Sequence, residues 1–530
     1  MKRRDFVKTS AGIGAGIAAA PYLLKGNPKP NFKPAHQLGF EDNDNITIII
    51  EMFGGNDGLN TIFPAEDPKL HELRDFALDP EEAIKIEEGL GLYLHPALVN
   101  DIVDDGFNGL RNTGRLSIIE GVGYKDMTMS HFRSRDIWHS GIISNDPDVP
   151  LLDGWLGRFI ASKLTNYPED VPDHPIAVSM GGNIPLALKS PKGDMGIALI
   201  DPEIFYNQGA GLEPPYSTLD DVNDYTSENN FLHTVGLQSQ KYSEAIYQTY
   251  QAGENSFDYK AQSPFEQKFQ TIARLINGGL NAKVYYVGLS NFDSHVMQQI
   301  TATEGQHQIY LKQLARGVSN FMKDALNLGF DKRITGYTFS EFGRRAHQNG
   351  SRGTDHGAGS MMFVFGHSDG IQAGIQGTPP DLNVLDDNGN IRVDEAEDFR
   401  RFYVDFLKYR FGATDTEIET VFGEYVDPYE VLKNRTSVED EFIKGGKNVG
   451  LSVYPNPSRG RSKLAFELKK GTKLEIVIYS YDGRYRKEIA NGFLQAGNYD
   501  FDLQLSHQGA YTALLTINGR RYSTKFTVMK

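Results

Sequence analysis

Not one cysteine occurs in these 530 residues. That absence removes disulfides, thiolate zinc sites and cysteine nucleophiles together, so any metal must be held by His, Asp or Glu. Basic residues are in deficit, 54 Lys+Arg against 69 Asp+Glu. The resulting formal charge of −15 argues against nonspecific nucleic-acid binding, which needs clustered Lys and Arg on the phosphate backbone. Internal repeats and long low-complexity segments are missing too. The apolar run from Ala11 to Leu24 is too short to serve comfortably as a membrane span. What the chain does have is 39% apolar residues, enough for a sizeable core in two or three domains.

The run from Ala11 follows Met1-Lys2-Arg3-Arg4-Asp5-Phe6-Val7-Lys8. A charged head before a short apolar segment is the layout of an export signal, here over residues 1–27, with an ordinary amphipathic first helix as the alternative. The paired arginines resemble a twin-arginine signal, which usually carries proteins already folded in the cytoplasm. Residues 28–45, with three prolines and no period, read as a linker. From Ile46 a β-branched run suits a strand buried on both faces. Further apolar strands are expected at 116–120, 282–287, 334–339 and 361–365. Helical segments separate several of them, such as 308–328 with apolar positions at Leu311, Leu314, Val318, Phe321, Met322 and Leu326. This alternation predicts an α/β domain over 46–436, a mainly parallel sheet flanked by helices.

A polar stretch over 437–449 ends that domain, and the charge then reverses. Residues 451–530 hold 13 Lys+Arg against 6 Asp+Glu. Short alternating strands with turn signals at Asp482-Gly483, Asn491-Gly492 and Asn518-Gly519 predict a small all-β sandwich over 450–530.

Ligands of parallel α/β sheets gather at the carboxyl ends of the strands. After the first strand comes Gly54-Gly55-Asn56-Asp57-Gly58-Leu59-Asn60, where glycines permit a tight backbone and Asp57 either points into a site or caps a turn. After the strand at 282–287 comes Asn291-Phe292-Asp293-Ser294-His295, whose carboxylate and imidazole can converge on one divalent ion. After 334–339 comes Ser340-Glu341-Phe342-Gly343-Arg344-Arg345, then Thr354-Asp355-His356 between glycines, two ligand-type side chains in a loop of little bulk. The two arginines either clamp an anion or are surface charge. Thr128-Met129-Ser130-His131 opens a helix. Ser130 there faces free N–H groups that favour an anion, its hydroxyl open to activation by a metal; otherwise it is an N-cap, with Arg133 and Arg135 on a solvated face. Asp386-Asp387-Asn388-Gly389-Asn390 has the composition of a calcium loop, but its glycine is misplaced and a hairpin turn is the better reading.

Two resemblances follow from these residues. Val453-Tyr454-Pro455-Asn456-Pro457-Ser458-Arg459-Gly460, Ile478-Tyr479-Ser480-Tyr481-Asp482-Gly483-Arg484, Gly509-Ala510-Tyr511 and Lys525-Phe526-Thr527-Val528 closely resemble the type A sorting domain of type IX secretion. That implies handling by the type IX machinery, passage through the periplasm and across the outer membrane, and surface anchoring or release. A carbohydrate-binding or adhesive sandwich is the alternative. The second resemblance rests on Phe53 to Asn60, Leu94-His95-Pro96-Ala97-Leu98, Ser130-His131-Phe132, Phe292 to His295, Ser340 to Arg344 and Thr354 to Gly357. In that order they resemble the domain-of-unknown-function 1501 family, whose fold is similar to that of alkaline phosphatases and sulfatases.

The resemblance implies an alkaline-phosphatase-like fold and a divalent metal such as zinc. Asp57 matches the first metal carboxylate, and Thr128 or Ser130 the nucleophile position, with His131 beside them among the reacting residues. Asp293, His295, Glu341, Asp355 and His356 fall at ligand positions. Glu341-Phe342 stands where the phosphatases place Asp-His, which loses one imidazole and argues against a full two-zinc centre. With no cysteine and no Ser-x-Pro, a formylglycine sulfatase is excluded. Two functions fit: a metal-dependent hydrolase of phosphoesters or related esters, or a catalytically degenerate surface binding or scaffolding protein on the same fold.

Overall fold

The run of β-branched residues at Ile46–Met52 forms a strand, β1, buried along its whole length. Its side chains alternate between two cores, as the period of two requires. Ile46, Ile48, Ile50 and Met52 join one apolar cluster, and Ile49 joins the other. The computed structural model describes residues 31–40, 43–87, 90–167, 170–209, 239–301, 304–393, 397–433, 451–468, 472–480, 485–505, 507–517 and 520–529. The chain divides into two compact units, Met1–Asn434 and Arg435–Lys530.

In the first unit, β1 is followed by β2 (Leu116–Val122), β3 (Ala177–Ser179), β4 (Ile197–Ala198), β5 (Val284–Leu289), β6 (Ile334–Phe339), β7 (Gly343–Gln348), β8 (Thr354–Gly357), β9 (Ser360–Gly366) and β10 (Gly374–Gly377). Eight of these make one sheet in the order β4-β3-β5-β1-β6-β9-β2-β10. Every neighbouring pair is parallel except the two that involve β9. The sheet is therefore mainly parallel, with one reversed strand inside it. Strands β7 and β8 form a separate antiparallel hairpin.

Helices cover both faces, giving three layers. They are α1 (His131–Ser140), α2 (Trp155–Lys163), α3 (Pro264–Asn277), α4 (Gln306–Leu328) and α5 (Phe399–Phe411). Phe265, Phe269 and Leu275 of α3 pack with Leu311, Leu314 and Phe321 of α4 on one face. Trp138 of α1, Phe159 of α2 and Phe402 and Phe406 of α5 pack on the other. Of the apolar positions expected on α4, only Leu326 is exposed. Among the described residues, no helix is long and apolar enough to cross a membrane.

The second unit holds a three-stranded and a four-stranded antiparallel sheet. Leu464, Phe466 and Leu503 of the first share one core with Ile476, Ile478, Ala513 and Leu515 of the second, which makes it a small β-sandwich.

Two expectations need correction. Asn491-Gly492 is not a turn: it lies inside the strand Arg486–Leu494, where Asn491 pairs with Glu475 and Gly492 with Leu474. Cross-strand pairing outweighs the local turn preference there. Residues 31–40, expected as part of a loose linker, are docked. Asn31–Lys33 pairs in parallel with Asp170–Pro172, and Ala35, Leu38 and Phe40 are buried, so three apolar side chains override the low overall hydropathy. The expected signal at 1–27, the polar stretch at 437–449 and the turns at Asp482-Gly483 and Asn518-Gly519 lie outside the described residues.

Candidate metal centre

Three chain segments meet at the carboxyl edge of the sheet: the loop after β5, the start of α1, and the β7–β8 hairpin with the turn before it. Two glycines let them approach. A Cβ on Gly54 would sit 2.3 Å from the amide nitrogen of Asp293, and one on Gly55 would sit 2.6 Å from the Phe342 ring; both have positive φ, +124° and +85°.

Around Asp293 stand three imidazoles. Its Oδ1 lies 3.0 Å from His295 Nε2 and 3.3 Å from His356 Nε2, and its Oδ2 lies 3.6 Å from His131 Nε2. Ligand atoms of His131, Asp293 and His356 all fall within 4.8 Å of one another. Bonds of about 2.0–2.1 Å at tetrahedral angles place neighbouring ligand atoms about 3.3 Å apart, so these spacings suit a divalent ion.

The outer nitrogens make the case stronger. His131 Nδ1 lies 2.7 Å from Glu341 Oε1, His295 Nδ1 lies 3.2 Å from Asp355 Oδ1, and His356 Nδ1 lies 3.0 Å from the Met129 carbonyl oxygen. Each partner can accept from Nδ1, which leaves Nε2 of each ring directed inward at Asp293, the arrangement that orients metal-binding histidines. His295 Nε2 then faces His356 Nε2 at 3.0 Å. Two imidazole nitrogens at that distance share either a proton or a cation held between them. The donor set fits a metal.

One cation is already built in. Arg344, fully buried, donates from Nη2 to Asp293 Oδ1 at 2.7 Å and to the carbonyls of Phe292 and Gly54, from Nε to Gly55 O, and from Nη1 to Thr354 O. Burial pushes the Asp293 carboxyl up, but the Arg344 guanidinium outweighs burial and holds it below the usual carboxylate range. Phe342 packs its ring against those of His131 and His356, at centroid distances of 4.8 and 4.6 Å. Beside His356 opens a cleft of about 700 Å³ lined by Met129, Arg345, Asp386, Asn390 and Arg392.

Residues 233–391 match the model of a family described as protein of unknown function, DUF1501, and residues 452–529 match that of a secretion system C-terminal sorting domain. The first match covers less than a third of the chain, and the second covers its C-terminal part. The sorting domain marks it for the type IX machinery and for export to the cell surface or the extracellular space. No curated protein matches the chain. Among solved structures it is similar to the PsFucS1 sulfatase of Pseudoalteromonas sp., at 10% identity over 90% of this chain and 84% of the other, TM-score 0.33. It is also similar to a protein of the alkaline phosphatase superfamily from Vibrio parahaemolyticus, at 9% identity over 92% and 91%, TM-score 0.29. A short match at 19% identity covers 16% of this chain and 32% of the alkylpurine DNA glycosylase AlkC of Pseudomonas fluorescens, TM-score 0.13.

The metal-ligand candidates singled out in the sequence separate into three groups. Asp293, His295 and His356 come together, joined by His131. Glu341 and Asp355 stand one bond further out, as partners of His131 and His295. Asp57 stands apart: it is fully buried, with Oδ2 2.7 Å from Arg74 Nη1 and Oδ1 3.1 Å from Nη2, and Gln298 donates to Oδ2 as well. Ser130 is exposed and caps α1, its Oγ accepting from Arg133 N at 3.5 Å; Thr128 Oγ1 accepts from Ser130 N at 3.4 Å. Arg133 and Arg135 are not on a free solvated face. Arg133 donates to the carbonyls of Ser144 and Val149, and Arg135 holds Glu51 through Nε and Nη2. The Asp386 carboxylate accepts from Asn388 N and from Asn390 N and Nδ2, which makes the loop a turn closed on itself.

Sequence reasoning missed Arg74, Gln298 and the Met129 carbonyl. No local pattern announces them, since each acts across the fold on a residue that was itself visible.

Proposed function

We propose that the protein is an exported hydrolase whose reactive centre holds one divalent ion, zinc being suited to these donors, at His131, Asp293 and His356 with His295 beside them. Its substrates are phosphoesters or related esters. The observation that carries this reading is the set of three histidines, each with Nδ1 engaged by an acceptor and Nε2 turned toward Asp293. When bound, such an ion supplies Lewis acidity at an ester oxygen. Glu341 and Asp355 fix the ring planes of His131 and His295, and Arg344 keeps Asp293 ionised. The Ser130 hydroxyl, the Thr128 hydroxyl or a water attacks the ester, its new bond forming as the bond to the alcohol breaks, and its proton leaves with that alcohol. Arg345 and Arg392, lining the cleft beside His356, favour an anionic substrate. A second ion is disfavoured because Arg344 and Arg74 already neutralise Asp293 and Asp57. Attachment to the outer-membrane surface belongs to the same proposal.

Purified protein reconstituted with zinc should hold about one ion and turn over one ester of a phosphoester and carboxylester panel. Metal below about a tenth of stoichiometry, with no turnover, sinks the reading. The same buried guanidiniums favour a second reading, a surface binding protein that has exchanged ions for arginines. That reading wins if Asp293→Ala and His356→Ala leave metal affinity and every activity unchanged.

A further inference from the structure

Gln298 is fully buried four residues after Ser294, and its single amide touches three segments. Its Nε2 donates to Asp57 Oδ2. Its Oε1 accepts from Ser294 Oγ at 3.0 Å and from Thr354 Oγ1 at 2.5 Å. The amide cannot be turned over without setting its oxygen against the Asp57 carboxylate, which the Arg74 guanidinium holds ionised against the cost of burial. Charge at Asp57 therefore decides which end of the amide faces the two hydroxyls, and both hydroxyls must donate to it.

Ser294 stands between Asp293 and His295, and Thr354 stands two residues before His356. The same two segments meet through their backbones, with Thr354 N donating to Ser294 O at 3.2 Å and Gln298 N to Arg352 O at 2.9 Å. The main chain brings the segments together, but backbone bonds leave the side-chain rotamers of Ser294 and Thr354 free. The shared acceptor at Gln298 removes that freedom.

We propose that Gln298 is a positioning residue for the metal centre. It locks the loop carrying Asp293 and His295 to the hairpin carrying His356 at ligand separation, and Asp57 serves the centre through it rather than as a ligand. This rests on the metal-centre reading. The positioning unit runs Arg74, Asp57, Gln298, then Ser294 and Thr354, wholly inside the protein.

The test uses the full chain, with zinc affinity measured by competition against a chromogenic chelator and cobalt(II) absorption as a probe of ligand geometry. Gln298→Met keeps the volume and removes all three hydrogen bonds. It should lose about 10- to 100-fold in zinc affinity and alter the cobalt spectrum. Leu407→Ala, in the core on the opposite face of the sheet, should lower Tm and leave both readouts as in the unmodified protein. Thr354→Ser should retain zinc binding where Thr354→Val weakens it, since only the hydroxyl is at issue. If Gln298→Met does not fold, Gln298→Asn, one methylene too short to span the three partners, carries the same readouts. An unmodified protein that binds zinc while the Gln298 variant binds it equally well, with the same cobalt spectrum, overturns the positioning role alone. An unmodified protein that binds no zinc overturns the metal-centre reading and this inference with it.

Discussion

Two sets of histidines in the same unit meet opposite surroundings. His95 and His307 are sealed in a polar core beneath the sheet edge. His95 accepts from Ala97 N at Nδ1 and meets Gln299 Oε1 at Nε2; His307 meets Asn60 Nδ2 at Nδ1 and Asn56 Oδ1 at Nε2. Each ring has one proton given and one lone pair filled, so nothing remains for a ligand. His131, His295 and His356 are partly exposed, satisfied at Nδ1 and turned at Nε2 toward one carboxylate. A histidine is therefore marked as structural or as available by its second nitrogen, which the sequence cannot display.

The largest effect should come from the buried pair of Asp57 and Arg74, which lies beside the sealed His307. Asp57→Ala leaves Arg74 buried without its carboxylate, and a broken buried ion pair costs about 3–5 kcal/mol. Denaturant unfolding checks this, and a loss under about 1 kcal/mol would mean that the polar core is less closed than described. Next comes acid. Burial pulls His95 down to about 4 and, against the opposing charge of Asp57, pulls His307 down to about 3, from 6.5. Between 6.5 and those values the unfolded chain binds protons that the folded protein does not. Stability must then fall as pH falls, by about 1.4 kcal/mol per histidine per pH unit. Denaturation midpoints at pH 7 and 5.5 measure it; a flat profile would show these rings charged inside the fold. The smallest effect belongs to the open set. Asp355→Asn weakens the acceptor on His295 at a half-exposed position, and should lower zinc affinity about 10-fold while moving stability by less than about 0.5 kcal/mol. Equal losses of both kinds would erase the distinction between the two sets.

The elements legible in the sequence were those whose signal is local. Ile46–Met52 announces itself by consecutive β-branched residues, and α4 by its apolar period. Asp293, His295 and His356 were visible because ligand-type residues sat just outside predicted strands. Asp57 looked the same by that rule, yet its partner Arg74 stands just past the end of a short helix, Pro68–Leu73, with no period that links the two. Glu341 was read as a ligand because it stands in a ligand's place. Its carboxylate is instead taken up by Gly54 N and His131 Nδ1, contacts that cross the sheet edge and leave no trace in sequence spacing. Residues 31–40 were misread because a few apolar side chains among prolines suffice to dock a segment when a groove waits for them.

The reversed strand carries a further consequence. Because β9 runs against its neighbours, it begins at the edge where β6 finishes, and the hairpin bearing His356 leaves and re-enters the sheet on one side. No helical crossover has to be threaded around it. The segment 343–357 is thus a single connection between neighbouring strands that carries Arg344, Thr354 and His356 to the carboxyl edge together, so a change of its length would displace the guanidinium, the hydroxyl and the imidazole at once.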